Sequence, residues 1–175
     1  MTKKQRAAAI IELLEQEYPL ADCTLDYDEA WKLLVSVRLA AQCTDARVNI
    51  VTKDLFVKYP TLESFANASL KELEKDIHSI GFYHNKAKNI ILCTQSLITN
   101  YGGEVQSDLE SLISLAGVGR KTANVIRGNI YHEPSIVVDT HVKRISKKLG
   151  FTKEEIKALV DGEIMQNVKE EGKGL

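Results

Sequence analysis

Leu115-Ala-Gly-Val-Gly-Arg-Lys-Thr-Ala123 is the stretch on which the reading of this chain turns. Apolar residues precede it at helical spacing (Leu109, Leu112, Ile113), and a second helix is expected from about 120 to 131. Glycines at 117 and 119 permit a tight turn between the two. Backbone N–H groups between the glycines, together with the unsatisfied donors that open the second helix, can approach an anion closely. A phosphate can be held this way without any net charge. Glycine also joins many ordinary helix pairs, so the hairpin alone leaves a plain structural junction open.

Lys121 stands in the first turn of the second helix, the end at which a cation is electrostatically disfavoured, and Arg120 lies beside it. Both influences favour a free amine, a nucleophile suited to attack at a sugar carbon. The competing role is a simple cation resting on phosphate. Asp139 follows eighteen residues later in Val-Val-Asp-Thr-His, just before a helix expected to begin at Thr140. An aspartate there is a natural N-cap. The same carboxylate can accept a proton or stabilise positive charge developing on a sugar ring, and the two roles are compatible.

Outward from this segment nearly everything reads as helix. Ala7, Ile10, Ile11, Leu14 and Tyr18 form one apolar stripe. Residues 29–42 are apolar on almost every side, which predicts a central, buried helix. Val48, Val51, Leu55 and Tyr59 make a third stripe, ended by Pro60. A short element follows over 69–78. Ala87, Ile90, Ile91, Thr94, Leu97 and Ile98 mark a long helix stopping near Gly102-Gly103. Further helices are expected over 140–149 and 153–165. Ile136-Val137-Val138 is too short and unpartnered to build a sheet, and no internal repeat or low-complexity linker divides the chain. The expectation is an all-α fold, with the polar tail from Lys169 to Leu175 frayed.

Composition agrees with an ordered protein: 175 residues, 44% apolar, 27% charged and 6% aromatic, enough for one domain or two small helical lobes. Net charge is only −1. Between Ala116 and Gly150, however, seven cations (Arg120, Lys121, Arg127, Lys143, Arg144, Lys147, Lys148) face two anions (Glu133, Asp139), a local excess of +5. Local charge, not the total, attracts a phosphate backbone. A solvated helix face has the same composition. Cys23, Cys43 and Cys93 are scattered without a CxxC pair, as expected of small buried hydrophobes in a reducing compartment. His78, His84, His132 and His141 show no zinc-ligand spacing with them. No stretch approaches the roughly 20 apolar residues needed to cross a membrane, and the basic N-terminus leads into an amphipathic helix rather than a signal core. A cytoplasmic, nucleoid-associated protein without membrane contact is expected.

Leu115–Ala123 followed by Val138-Asp-Thr-His141 resembles the helix–hairpin–helix and Gly/Pro-rich–Asp signature of the endonuclease III family. Leu39-Ala-Ala-Gln-Cys-Thr-Asp45, Ile80-Gly-Phe-Tyr-His-Asn-Lys-Ala87 and Gly103-Glu-Val105 are similar to family segments in the same order, so the resemblance covers roughly residues 5–165. It implies a helix–hairpin–helix DNA glycosylase fold. The helical barrel would occupy 21–132, and 1–20 with 133–175 would form an incomplete second helical lobe. It implies a bifunctional base-excision-repair glycosylase and abasic-site lyase, typically acting on oxidised pyrimidines in double-stranded DNA and working as a monomer. Lys121 is the implied Schiff-base nucleophile and Asp139 its carboxylate. Gln42 and Phe82 match positions that fill the gap in the duplex and wedge the opposite strand; a helix-end polar residue and a core aromatic are their plainer roles. Gly117, Val118 and Gly119 would supply amides to phosphate, with Arg120 and the Thr122 hydroxyl beside them. Asp45 is either a helix cap or a supporting acid, and His141 a supporting residue.

Two departures accompany the resemblance. The family usually has proline where this chain has Ala116, at an expected cost of about 0.4–1 kcal/mol through unfolded-state entropy. Family members also typically continue into a four-cysteine loop holding a [4Fe–4S] cluster. No such pattern occurs here, so no cofactor is expected in this chain, which reads as C-terminally truncated, with the stripe of Ala7, Ile10, Ile11 and Leu14 left exposed. A catalytically impaired DNA-binding remnant and a monofunctional mismatch glycosylase are the alternatives: the missing C-terminal region favours the first and the intact Lys121–Asp139 pair counts against it, while Lys121 counts against the second.

Overall fold

The computed structural model describes residues 1–152, all helix and connecting turn, with no strand among them. The elements are α1 (Lys3–Glu17), α2 (Ala30–Ala40), α3 (Asp45–Lys58), α4 (Leu62–Ala66), α5 (Leu70–Asp76), α6 (Tyr83–Tyr101), α7 (Leu109–Ser114), α8 (Arg120–Tyr131) and α9 (Thr140–Lys148). The helix expected over 153–165 lies outside the described residues.

α2 is the hub. Its side chains Trp31, Leu33, Leu34, Val35, Ser36 and Leu39 are buried, and it packs against α3, α6 and α8. This is what an apolar helix without a polar face requires. Around its first turn Trp31, Phe56, Phe65 and Tyr59 form a continuous edge-to-face and tilted cluster, with ring centroids 5.0–6.1 Å apart. Each such pair contributes roughly 0.5–1.5 kcal/mol beyond its buried area. The opposite end of α2 is the one that meets the functional elements.

Two other elements complete the described fold. α6 lies beneath α2, α4 and α5, burying Ala87, Ile90, Cys93, Thr94 and Leu97. α1 buries none of its residues. Ile11 and Leu14 are about half exposed, and Ala7 and Ile10 are partly covered. What ties α1 down is Arg6, whose guanidinium donates to the Gly150 carbonyl at 2.9 Å and lies 5.2 Å from the Phe151 ring.

The cysteines depart in part from expectation. Cys93 is buried, and burial pushes its thiol up to about 12. Cys23 and Cys43 are only half-buried, at the wall of a surface cleft.

Candidate active site

The hairpin is a reverse turn clipped to the core by its apolar members. α7 ends at Ser114, and Leu115 turns extended (φ −71°, ψ 142°). The Val118 N–H then donates to the Leu115 carbonyl at 3.0 Å, and Gly117 has φ 71°. A positive φ at the third position is the mark of a type II turn, which demands glycine there. Leu115 and Val118 are buried while Gly117 and Gly119 are exposed. Val118 therefore differs from expectation: its N–H is spent inside the turn and its side chain is an anchor, so it is no phosphate donor. The N–H groups of Gly117 and Gly119 have no partner among the described residues. Gly119 is the N-cap of α8 and supplies no side-chain cap, so the first-turn donors of α8 are left open. Arg120, Lys121 and Thr122 follow on that turn, Arg120 and Lys121 exposed and Thr122 half-buried.

The segment after α8 is stitched to the back of that helix. Asn124 Nδ2 donates to the Ile136 carbonyl at 3.1 Å, and Ser135 Oγ donates to the Asn124 carbonyl at 2.9 Å. Ser135 is also the neighbour that a Cβ at Gly128 would meet, at 3.0 Å. This brings Asp139 round to face Lys121. The Asp139 carboxylate caps α9, accepting from the Val142 N–H at 2.8 Å. Partial burial pushes this carboxyl up, but the N–H groups of Val142 and His141 and the nearby His141 and Lys121 charges outweigh it and hold it below the usual carboxylate range. Capping and cleft-facing thus coexist in one side chain.

The cleft between α8, α9 and the start of α3 has a volume of about 970 Å³. It is lined by Lys121, Thr122, Asp139 and His141 on one wall and by Gln42, Cys43, Thr44 and Asp45 on the other. An adjoining lobe of about 650 Å³ shares Lys121, Asp139, His141 and Gln42 and adds Lys143. Six of the residues singled out in the sequence therefore meet in one place. Asp45 is not the helix cap: Thr44 is, accepting from the Arg47 N–H at 3.4 Å. Asp45 instead accepts from the Thr24 hydroxyl. Asn49 secures that loop, its Nδ2 donating to the Thr24 carbonyl at 2.8 Å and its Oδ1 accepting from the Asp26 N–H at 3.0 Å.

Gln42 and Phe82 share an uncommon property. Both are exposed and both sit in the left-handed region, at φ 58° and 59°. For residues other than glycine this costs on the order of 1–3 kcal/mol and persists only where surroundings enforce it. Phe82 is 68% exposed, which removes the core-aromatic role. It lies outside the cleft, as the N-cap of α6.

Two residues were absent from the sequence reading. Lys86 is buried, its Nζ donating to the carbonyls of Leu39 at 3.0 Å and Ala41 at 2.6 Å. Burial draws its ammonium below the ordinary lysine range, with Cys43 opposing and Arg38 adding to the effect. Arg38 lies behind the hairpin, its guanidinium against Gly117. Nothing in the spacing of either residue marks it as different from a solvated surface cation.

The model of the HhH-GPD superfamily base excision DNA repair proteins matches residues 35–170. Endonuclease III of Bacillus subtilis (strain 168) is 48% identical over 155 residues, which span 88% of this chain and 71% of that protein. The chain belongs to the endonuclease III family. A second relative in that family, endonuclease III of Synechocystis sp., is 44% identical over 166 residues, 94% of this chain and 76% of its own length. Among solved structures, a trapped endonuclease III–DNA covalent intermediate superposes with a TM-score of 0.87 at 44% identity, covering 97% of this chain and 78% of that one. The all-helical helix–hairpin–helix fold is that of the endonuclease III family.

The family resemblance implies a four-cysteine [4Fe–4S] cluster. This chain has three cysteines, and no group of metal-ligating side chains stands together among the described residues. Three thiolates do not supply the four ligands of that cluster, so the residues present do not fit it.

Proposed function

We propose that this chain is a base-excision-repair DNA glycosylase with abasic-site β-lyase activity, acting on oxidised pyrimidines. The observation that carries this reading is the convergence of Lys121 and Asp139 on one cleft, beside a hairpin whose glycine N–H groups have no partner among the described residues. The partner is double-stranded DNA bearing a damaged base or an abasic site, bound by a monomer. Phosphate rests on the N–H groups of Gly117 and Gly119 at the positive end of α8. Arg120 and the basic face of α9 (Lys143, Arg144, Lys147, Lys148) add the salt-dependent share of affinity. Residues 21–132 form the barrel, and α1 belongs with the chain after 133, a division supported by the Arg6 contacts to Gly150 and Phe151.

In the reaction the damaged nucleotide is turned out of the duplex into the cleft. The Lys121 amine bonds to C1′ as the C1′–base bond breaks, and the base leaves with the electron pair. Ring opening then gives a protonated Schiff base between Nζ and C1′. Loss of a proton from C2′ expels the 3′ phosphate and nicks the strand. Asp139, ionised at neutral pH, stabilises the positive charge developing on the sugar and accepts a proton from the attacking amine. Gln42 enters the gap left by the flipped nucleotide, and Phe82 wedges the opposite strand.

Borohydride trapping on a duplex with one abasic site tests the reading, with Lys121→Ala as comparison. A covalent adduct that disappears in the variant supports it. A folded protein that retards the duplex yet gives no adduct overturns the lyase and leaves a DNA-binding remnant.

A further inference from the structure

We propose that Lys86 is a positioning residue that sets the two DNA-penetrating side chains, Gln42 and Phe82, in a fixed relation to one another. The inference rests on the reading of Gln42 and Phe82 given above.

Lys86 is the one buried charged residue among the described residues, 5% exposed. Its ammonium enters the C-terminal end of α2, where helix carbonyls lack intrahelical partners and the dipole favours a cation. There it donates to Leu39 and, at 2.6 Å, to Ala41. The Ala41 carbonyl belongs to the peptide plane whose other end is the amide of Gln42, so holding that oxygen fixes the plane from which Gln42 turns left-handed. The backbone N–H of the same Lys86 donates to the Phe82 carbonyl at 3.2 Å, the first bond after Phe82's own left-handed turn. One residue therefore grips the backbone on which each penetrating side chain stands, by its head in one case and by its main chain in the other. Both penetrating residues are exposed and sit in a conformation that non-glycine residues rarely adopt. Such geometry needs an enforcing contact. For Gln42 that contact is a buried charge, which a short apolar or neutral side chain does not replace.

The test uses a duplex carrying a tetrahydrofuran abasic analogue with 2-aminopurine opposite it, and an intact duplex as reference. Lys86→Met keeps the apolar stem and removes the donor. Its preference for the abasic over the intact duplex is expected to fall about tenfold, within the range for residues in one bonded network. Affinity for intact duplex stays, and the 2-aminopurine fluorescence change on binding shrinks. Added to the Gln42→Ala/Phe82→Ala double variant, Lys86→Met has no further effect on that preference. A folded Lys86→Met protein with full preference and full fluorescence response overturns the proposal. So does an undiminished tenfold loss in the double background, which marks a merely structural role. Should Lys86→Met not fold, Lys86→Leu, which also removes the donor, takes its place with the same outcomes. If the Gln42→Ala/Phe82→Ala variant itself keeps full preference, the penetrating role of those residues fails first, and the proposal with it.

Discussion

The guanidinium of Arg38 lies so close behind Gly117 that a Cβ at position 117 would stand 2.2 Å from one of its terminal nitrogens. Position 117 thus excludes side chains twice, by its φ of 71° and by the cation at its back. The hairpin and the central helix are fitted closely to each other at this contact. Gly117→Ala is expected to lower stability by about 1–2 kcal/mol from the left-handed backbone alone, with displacement of Arg38 adding to it. Urea denaturation measures the loss, and gel retardation of duplex DNA is expected to weaken in parallel. An unchanged midpoint would show that the turn tolerates a side chain.

The neighbouring position behaves in the opposite sense. Ala116 is the second residue of the type II turn, where proline is favoured, and Leu115 before it is already extended, as a residue preceding proline must be. No described residue accepts from the Ala116 N–H. Ala116→Pro is therefore expected to raise stability by about 0.4–1 kcal/mol, read as a higher thermal midpoint, with DNA binding retained.

Asp139→Asn separates the two duties of that residue. Asparagine still accepts from the Val142 N–H, so α9 keeps its cap. Base release is expected to slow by about 10²–10⁴-fold, measured as single-turnover excision from a duplex with one oxidised pyrimidine. Schiff-base trapping on a pre-formed abasic site is expected to suffer less, since no base need be expelled.

The same variant reports on pH. The Asp139 carboxyl is held below its ordinary value in the folded protein, so ionisation favours folding. That stability is fully present above the unfolded value of about 3.9 and is lost as pH falls through it and then through the folded value. Denaturant unfolding is expected to show wild type ahead of Asp139→Asn at pH 7, with the difference closing below about pH 4. A constant difference across that window would exclude an ionised, bonded Asp139.

Gln42 offers a comparison between two replacements. Both Gln42→Gly and Gln42→Ala remove the side chain, but only alanine keeps the left-handed penalty. Glycine is expected to be the more stable by about 1 kcal/mol in thermal or urea unfolding, while both lose preference for an abasic duplex. Equal stability would mean that position 42 is not constrained in solution.

Much of this architecture is legible in the sequence because helices declare themselves by period. α8 was expected at 120–131 and spans Arg120–Tyr131, and the short element at 69–78 is α5. The five-residue α4 was missed, because Leu62–Ala66 is barely more than one turn and shows no stripe. Within the site, Lys121 and Asp139 could be named from their place at helix starts, a local property. What sequence could not supply is non-local or conformational. Lys86 bonds to carbonyls 45 and 47 residues away, and its helix reads as amphipathic with a lysine on the wet side. Val118, a lone apolar residue between two glycines, gives no hint that its side chain turns inward and its N–H is already engaged. Thr44 and Asp45 are both good caps, and only the backbone decides that threonine takes the role.

The stitching of the loop after α8 has a consequence for inheritance. Asn124 and Ser135, the latter packed closely over Gly128, bind the loop to its own preceding helix, so Lys121 and Asp139 are held in register by contacts made within one contiguous stretch. Recombination with a relative at any point outside 117–142 passes both partners on together, already aligned. The rest of the cleft wall, around Thr24 and Gln42, can therefore be exchanged without disturbing that register.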